Sequence, residues 1–363
     1  MKKTKMLYIV TDAGTAGGVM SIVSKKINYL VNSGFNVELM TIRNYESIFY
    51  VLDNRCVIHK FDCKQNLLLN LIEFYYFLRK SSFDIIISAD AQIVTWVLPF
   101  IYKGKTILEL HQSYDGMIDF IKEKYKSVWK SAFFSCLKKI AYPRYNRIVV
   151  LTEEDKKKWG YKNILIIPNF HICNDVQQSS ERKKEIVCLG RFDYQKGYDL
   201  LIEVWKLVCK NISGWKLYYY GTEISNEAKQ ILNRLSAPSS FVLKGYEHDL
   251  DTIFSSAYLN IVPSRSESFS LSIIEAMCYG VPTIAFDITG PHSIIEDDKS
   301  GKLIKAYDVE KMADAIINFI ENPVLVENMR SSCVLRSNDY KRDIIMNKWV
   351  TLLETLSDGD SSC

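Results

Sequence analysis

The stretch IVCLGRFDYQKGYDLLIEVWKLVCK, residues 186–210, decides how this chain folds. Ile186–Leu189 is a short apolar run that reads as a buried strand. Gly190 ends it, and the loop to Gly197 places Arg191 and Lys196 five residues apart between two glycines. Tyr198–Lys210 then reads as a helix. Strand, glycine-flanked loop and helix in that order open a βαβ unit.

The same rhythm extends in both directions. Downstream, Lys216–Tyr220, Phe241–Lys244, Leu259–Val262 and Thr283–Phe286 read as strands. Phe269–Tyr279 is a helix stopped by Gly280 and Pro282, and Val309–Glu321 a helix ended by Pro323. Upstream, Met6–Val10, Val37–Ile42, Ile85–Ser88, Thr106–Leu110, Ile148–Leu151 and Ile164–Ile167 are strands. Val19–Asn32 is a helix with Ile22, Val23, Ile27 and Leu30 on one face, and Leu67–Arg79 is another. Two alternating series imply two doubly wound, Rossmann-like α/β domains, 1–172 and 185–338. The polar segment Ile172–Lys184 joins them, and ligands are expected in the cleft where they face each other. The apolar positions of Asp339–Leu356 mark a last helix that crosses back to the first domain, so that the domains share a hinge there and at the join. Ser357–Cys363 is expected to be disordered.

Composition sets the class. The chain has 363 residues, 48% hydrophobic and 24% charged, enough for two ordinary globular cores. Nine cysteines are scattered without a CxxC pair, so a zinc ribbon or redox motif is not expected and reduced thiols in a cytoplasmic protein are. Met6–Val10 is too short for a signal-peptide core, and no apolar run is long enough to span a bilayer. The net charge of +4 is uneven: through residue 175 there are 25 Lys+Arg against 16 Asp+Glu, and beyond it 21 against 26. A basic first half favours a polyanionic surface as its neighbour.

Two loops carry candidate chemistry. In Gly190–Gly197, Arg191 offers a planar fork to phosphate oxygens and Lys196 a point charge, beside the free N–H groups of a helix start. An ordinary solvated turn would also explain it. In Pro263–Glu275, a Ser-rich turn leads into a helix, with Glu267 at its mouth and Glu275 about two turns on. The N–H groups of Ser268, Phe269, Ser270 and Leu271 suit a phosphate. A capped helix explains Glu267 through the helix dipole, but not Glu275, whose carboxylate in an apolar segment needs a diol or a core hydrogen bond.

A G-R-x4-K-G loop followed some 75 residues later by E-x7-E resembles the retaining glycosyltransferases of family 4, which have the GT-B fold. Gly17-Gly18-Val19, Leu110-His111, Leu151-Thr152-Glu153, Pro168-Asn169 and the run from Glu275-Ala276-Met277 to Gly280-Val281-Pro282 extend the resemblance over nearly the whole chain. It implies that Arg191 and Lys196 hold the diphosphate of a nucleotide sugar and that Glu275 binds the ribose. Glu267 would lie at the transferred sugar as a positioner, and the Ser268–Leu271 amides at phosphate and sugar. Gly17 and Gly18 would let backbone approach the diphosphate, and His111 would face the sugar. Ser268 stands where many of these enzymes have glycine. No metal or other cofactor is implied: Asp249-Leu250-Asp251 reads as helix-start charge, and Asp358-Gly359-Asp360 lies in the polar tail. The segment Phe286-Asp287-Ile288-Thr289-Gly290-Pro291 resembles that of relatives using UDP-galactose, UDP-N-acetylgalactosamine or UDP-glucose, with GDP-mannose the alternative. The implied setting is bacterial surface polysaccharide synthesis on a glycan or lipid-linked acceptor.

Residues 118–147 interleave Lys122, Lys124, Lys126, Lys130, Lys138, Lys139, Arg144 and Arg147 with Phe120, Trp129, Phe133, Phe134 and Leu137. This is the pattern of an interfacial helix, so peripheral contact with the inner face of the cell membrane is expected. A core helix with a basic outer face gives the same pattern. Nucleic-acid binding lacks a recognisable module. A dinucleotide dehydrogenase needs G-x-G-x-x-G, which Gly14, Gly17 and Gly18 do not give. A sugar-nucleotide epimerase shares the layout but not the two loops, and a non-enzymatic binding protein is the remaining alternative. His59, His171, His248 and His292 receive no role.

Overall fold

The computed structural model describes residues 4–14, 17–42, 47–61, 67–89, 93–118, 136–173, 176, 181–221 and 225–358. The chain divides into two compact units, Met1–Asn169 with Asp343–Cys363, and Phe170–Arg342.

The first unit is a seven-stranded sheet of β1 (Lys5–Val10), β2 (Asn36–Thr41), β3 (Val57–Lys60), β4 (Ile85–Ala89), β5 (Lys105–Glu109), β6 (Arg147–Val150) and β7 (Ile164–Ile166). Its order is β3-β2-β1-β4-β5-β6-β7, parallel throughout. Helices α1 (Gly18–Asn32), α2 (Leu67–Lys80), α3 (Ile93–Ile101) and α4 (Glu153–Trp159) belong to its connections. β1 and β4 are apolar on both faces, as parallel strands covered on both sides must be. The Thr152 hydroxyl caps α4 by accepting from the Asp155 amide, and Gly160 closes it in the left-handed region.

The second unit repeats this plan with β8 (Glu185–Leu189), β9 (Lys216–Tyr220), β10 (Phe241–Gly245), β11 (Leu259–Val262), β12 (Thr283–Phe286) and β13 (Gly301–Ile304). Its order is β10-β9-β8-β11-β12-β13, again parallel. The helices are α5 (Tyr198–Asn211), α6 (Asn226–Arg234), α7 (Leu250–Phe254), α8 (Leu271–Cys278), α9 (Thr289–Ile294), α10 (Val309–Glu321) and α11 (Pro323–Ser337). Leu201, Ile202, Trp205 and Val208 of α5 pack with Leu217, Leu259, Met312 and Ile316 in one core. Each such side chain contributes about 1.5–3 kcal/mol by leaving water. Two Rossmann-like parallel sheets therefore form the architecture, each with its order reversing beside the first strand.

Several expectations are corrected. β3, α3, α4, α6, α9, β13 and α11 were not read from the sequence. β3 and β13 are edge strands that carry His59, Lys60 and Lys302, so neither shows the apolar run of a strand covered on both faces. Pro323 ends α10 but also starts α11, where its missing N–H costs nothing. The last helix, α12 (Arg342–Asp358), includes Ser357 and Asp358, which were expected to be disordered; the Ser357 hydroxyl donates to the Leu353 carbonyl at 2.9 Å. Residues 359–363 lie outside the described residues. So do 119–135, the greater part of the basic aromatic stretch. Of its described residues, Lys138 is buried rather than on a solvated face, while Lys139, Ile140 and Arg144 are exposed. Among the described residues no helix is long and apolar enough to cross a membrane.

Candidate functional site

The two candidate loops leave the carboxyl ends of β8 and β11. These strands are paired neighbours at the point where the sheet order reverses, which is where open α/β sheets bind ligands. The loops are joined by close backbone packing. Gly197 has φ +72°, and a Cβ there would lie 2.1 Å from the Pro263 carbonyl oxygen, so only glycine lets them meet. The Arg265 amide donates to the Gln195 carbonyl at 2.8 Å, and Gln195 Nε2 donates to the Ser266 carbonyl at 3.2 Å. Arg265 also grips Asp199 of α5 through two 2.7 Å bonds and stacks on the Tyr194 ring at 3.7 Å. Burial alone would raise the Asp199 carboxyl; the Arg265 fork overrides that and holds it below the usual carboxylate range.

Within this scaffold Lys196 Nζ meets Glu267 Oε1 at 2.6 Å, and the Ser264 hydroxyl donates to the same oxygen at 2.9 Å. The Glu267 side chain is 9% exposed, so the pair is largely screened from water. Gly190 gives Lys196 its path, since a Cβ would approach the lysine stem at 3.3 Å. Arg191 remains exposed, with its guanidinium 3.1 Å from Asp193 and 3.3 Å from the Gln195 side-chain oxygen. The Gly290 amide donates to the Glu267 carbonyl at 3.0 Å, and a Cβ on Gly290 would meet that oxygen at 2.9 Å. The Phe286–Pro291 segment after β12 is thereby held against Glu267.

The helix expected from Phe269 begins at Leu271, with Ser270 as N-cap and no side chain capping it. Phe269 and Ser270 are buried, whereas Ser268, Leu271 and Glu275 are half-buried. The mid-helix carboxylate of Glu275 is thus not sealed in the core.

In the first unit Gly17 and Gly18 follow β1, again at the reversal of strand order. Among the described residues a Cβ at either would meet nothing within 4 Å, so none of these demands glycine there by packing. His111 lies two residues past β5 and is buried. Its Nε2 is 3.2 Å from Glu109 Oε1, which also bonds the Lys26 ammonium. Lys26 and Glu109 are fully buried, and Lys26 sits 4.6 Å from the ring centre of Trp349 in α12. Burial would raise the Glu109 carboxyl, but Lys26 and His111 outweigh it and bring it down to about 2. Burial outweighs Glu109 at the lysine and lowers its ammonium. The Lys26 ammonium and the His111 ring converge on one Glu109 oxygen.

Lys26 and Glu109 were missed in the sequence. The signal was there: Lys26 is four residues after Ile22 and four before Leu30, inside the apolar face of α1, and Glu109 interrupts the strand between Leu108 and Leu110. Among the described residues the group with metal-ligand spacing is His171, Cys173 and Cys278, and it contains none of the loop residues.

Residues 174–334 match the family model for glycosyl transferases group 1. Over 96% of the chain and 99% of the relative, the sequence is 26% identical to the amylovoran biosynthesis glycosyltransferase AmsD of Erwinia amylovora. Sucrose-phosphate synthase from Thermosynechococcus elongatus superposes with a TM-score of 0.80 at 18% identity, covering 98% of this chain and 99% of that one. Anabaena HepE, solved in complex with UDP and glucose, superposes with a TM-score of 0.76 at 15% identity, covering 97% and 100%. At such identities the structural likeness speaks for the fold, which is GT-B. Together with the family match and the full-length relative, the two stitched loops support a group 1 glycosyltransferase.

Proposed function

We propose that the chain transfers a hexose, with retention of anomeric configuration and without a metal ion, from a UDP-sugar to a hydroxyl of a glycan or lipid-linked acceptor in bacterial polysaccharide synthesis. The observation that carries this is the Lys196–Glu267 pair, 2.6 Å apart, at the meeting of two switch-point loops with Arg191 exposed beside it. An ammonium has three donors, so Lys196 can keep Glu267 and still bond a phosphate oxygen. Arg191 adds a fork, and the N–H groups at the start of α8 add their dipole. These groups oppose the negative charge that develops as the nucleoside diphosphate leaves.

Glu267 Oε1 already holds Lys196 and Ser264, which favours a positioning role over nucleophilic attack. Acceptor attack on the face that the diphosphate leaves, with the departing phosphate taking the hydroxyl proton, accounts for retention. His111, held by Glu109, meets the sugar, Glu275 the ribose, and the open space at Gly17 and Gly18 admits the diphosphate. The segment held by Gly290 against Glu267 would read the donor sugar; its resemblance favours UDP-galactose, UDP-N-acetylgalactosamine or UDP-glucose. The UDP complex of HepE, a structural neighbour, favours uridine as the base. GDP-mannose is the second reading. Membrane contact through residues 118–147 belongs to the same proposal. Flotation with anionic liposomes at low salt tests it, and failure to float removes it.

A panel of UDP- and GDP-sugars, scored by donor hydrolysis and thermal shift in the presence of EDTA, tests the proposal. Hydrolysis of one UDP-hexose is expected. Arg191→Ala should raise the barrier by about 2–4 kcal/mol, seen as loss of turnover. Wild-type turnover in that variant, or activity only with added metal, would contradict it.

A further inference from the structure

His171, Cys173 and Cys278 stand far apart in the sequence and take no part in the proposed transfer. The fold gathers them within the second unit: His171 and Cys173 come from the segment that enters it, Cys278 from the last position of α8. One ligand atom from each, two Sγ and an imidazole nitrogen, all lie within 4.8 Å of one another.

The imidazole is the telling member. His171 is 2% exposed. Its Nε2 is 2.9 Å from the Ser337 backbone carbonyl, which has no proton to give, so Nε2 carries the hydrogen and donates it. Nδ1 is then left with a lone pair; this buried atom makes no hydrogen bond of ordinary geometry among the described residues, and the Cys173 thiol is the group that approaches the ring. The ring is also fixed from behind, because the His171 amide donates to the Tyr340 carbonyl at 3.1 Å. A ring that donates one N–H to a backbone carbonyl and presents the other nitrogen bare is the arrangement of a metal-ligating histidine.

We propose that His171 Nδ1, Cys173 Sγ and Cys278 Sγ form a binding site for a thiophilic divalent cation of the zinc class. Zinc bonds sulfur at about 2.3 Å and imidazole nitrogen at about 2.0–2.1 Å. On a tetrahedron this separates the ligand atoms by roughly 3.6–3.8 Å. Side-chain rotation of Cys173, which is half-buried, can close the remaining gap. Each thiol releases its proton to solvent as its thiolate binds, and the Cys278 donation to the Ile274 carbonyl at 3.1 Å is given up. Water takes the fourth position. A disulfide between the two cysteines would explain the sulfurs but leave Nδ1 without a partner; a cation accounts for all three atoms. The bound ion would tie the segment at His171–Cys173 to the helix whose start holds the donor loops.

Competition of the reduced, metal-free full chain against a chromophoric zinc chelator, together with the absorption spectrum after cobalt(II) addition, tests the site. One equivalent of zinc is expected, with sulfur-to-cobalt charge-transfer bands and intense tetrahedral d–d bands in the wild-type chain. Cys173→Ser, Cys278→Ser and His171→Ala should each weaken zinc binding at least about tenfold, while Cys209→Ser on α5 leaves it unchanged. The cobalt spectrum needs no variant, so a misfolded mutant cannot decide the result. Absence of zinc binding and of charge-transfer bands in the wild type, or equal binding by the cysteine variants, would overturn the proposal. A Cys173–Cys278 disulfide that persists under mild reductant and excludes zinc would overturn it as well.

Discussion

The two units place their candidate residues at equivalent points, the loops after the strands where sheet order reverses and the end of a neighbouring strand, but they hold them by opposite means. In the second unit Lys196 and Arg191 are positioned from outside, by a glycine at φ +72°, by backbone bonds between loops and by the half-exposed Arg265–Asp199 pair. In the first, His111 is positioned from beneath, by a carboxylate and an ammonium with no exposed surface. Placement nearer the surface keeps the cations, though paired, within reach of a polyanionic ligand and costs less folding energy. Buried placement fixes one ring at the expense of removing two charges from water, which is tolerable only while both are present.

The largest expected effect breaks that second arrangement. Glu109→Gln leaves the fully buried Lys26 without its anion, so that it must hold an uncompensated charge or give up its proton on folding, and unfolding by urea should show a loss of about 3–5 kcal/mol. The double variant Lys26→Met, Glu109→Gln should recover much of it. Equal stability of the single variant and wild type would mean that the charges do not interact as described.

Acid sensitivity sharpens the same point. The Glu109 carboxyl titrates at about 2 in the folded chain against 4.5 when free. Its contribution is therefore complete above pH 4.5 and disappears as pH falls from there towards 2. Lys26 works in the other direction, since its lowered ammonium makes charging it unfavourable in the folded state below its ordinary 10.5. Tm of the wild type should drop between pH 4.5 and 2 more steeply than that of the double variant; parallel curves would dissociate acid loss from this pair.

A smaller effect probes the outer arrangement. Gly197→Ala forces a left-handed backbone on alanine and drives its methyl into the Pro263 carbonyl, 2.1 Å away before any relaxation. The strain is about 1–3 kcal/mol. Because the loops must separate, donor affinity should fall further than Tm suggests. Unchanged affinity would mean that the loop junction does not shape the site.

Much of this was legible in the sequence, for reasons that differ by element. The long buried strands and α1, α5 and α10 announced themselves by apolar runs and helical spacing, and the glycine-flanked loop by its position between strand and helix. The junction of the loops was not legible, because it depends on which strands pair: residues 197 and 263 meet only through β8 pairing with β11. The edge strands β3 and β13 mix polar and apolar residues and so lack the apolar run that marked the central strands. The charges under His111 looked like ordinary surface groups when each was read singly, although Lys26 falls on the apolar face of its own helix. Likewise the nine scattered cysteines gave no motif, and only the folded second unit sets two of them beside His171.

The central claim is that Arg191 and Lys196 form a cationic clamp for a nucleoside diphosphate that works without metal. Calorimetric titration of UDP into the chain in EDTA tests it most directly, with Arg191→Ala and Lys196→Gln as the variants. The account predicts binding by the wild type and at least about tenfold weaker binding, or about 1.4 kcal/mol, for each variant. Equal affinity in all three, or binding that appears only when a divalent cation is restored, would contradict it.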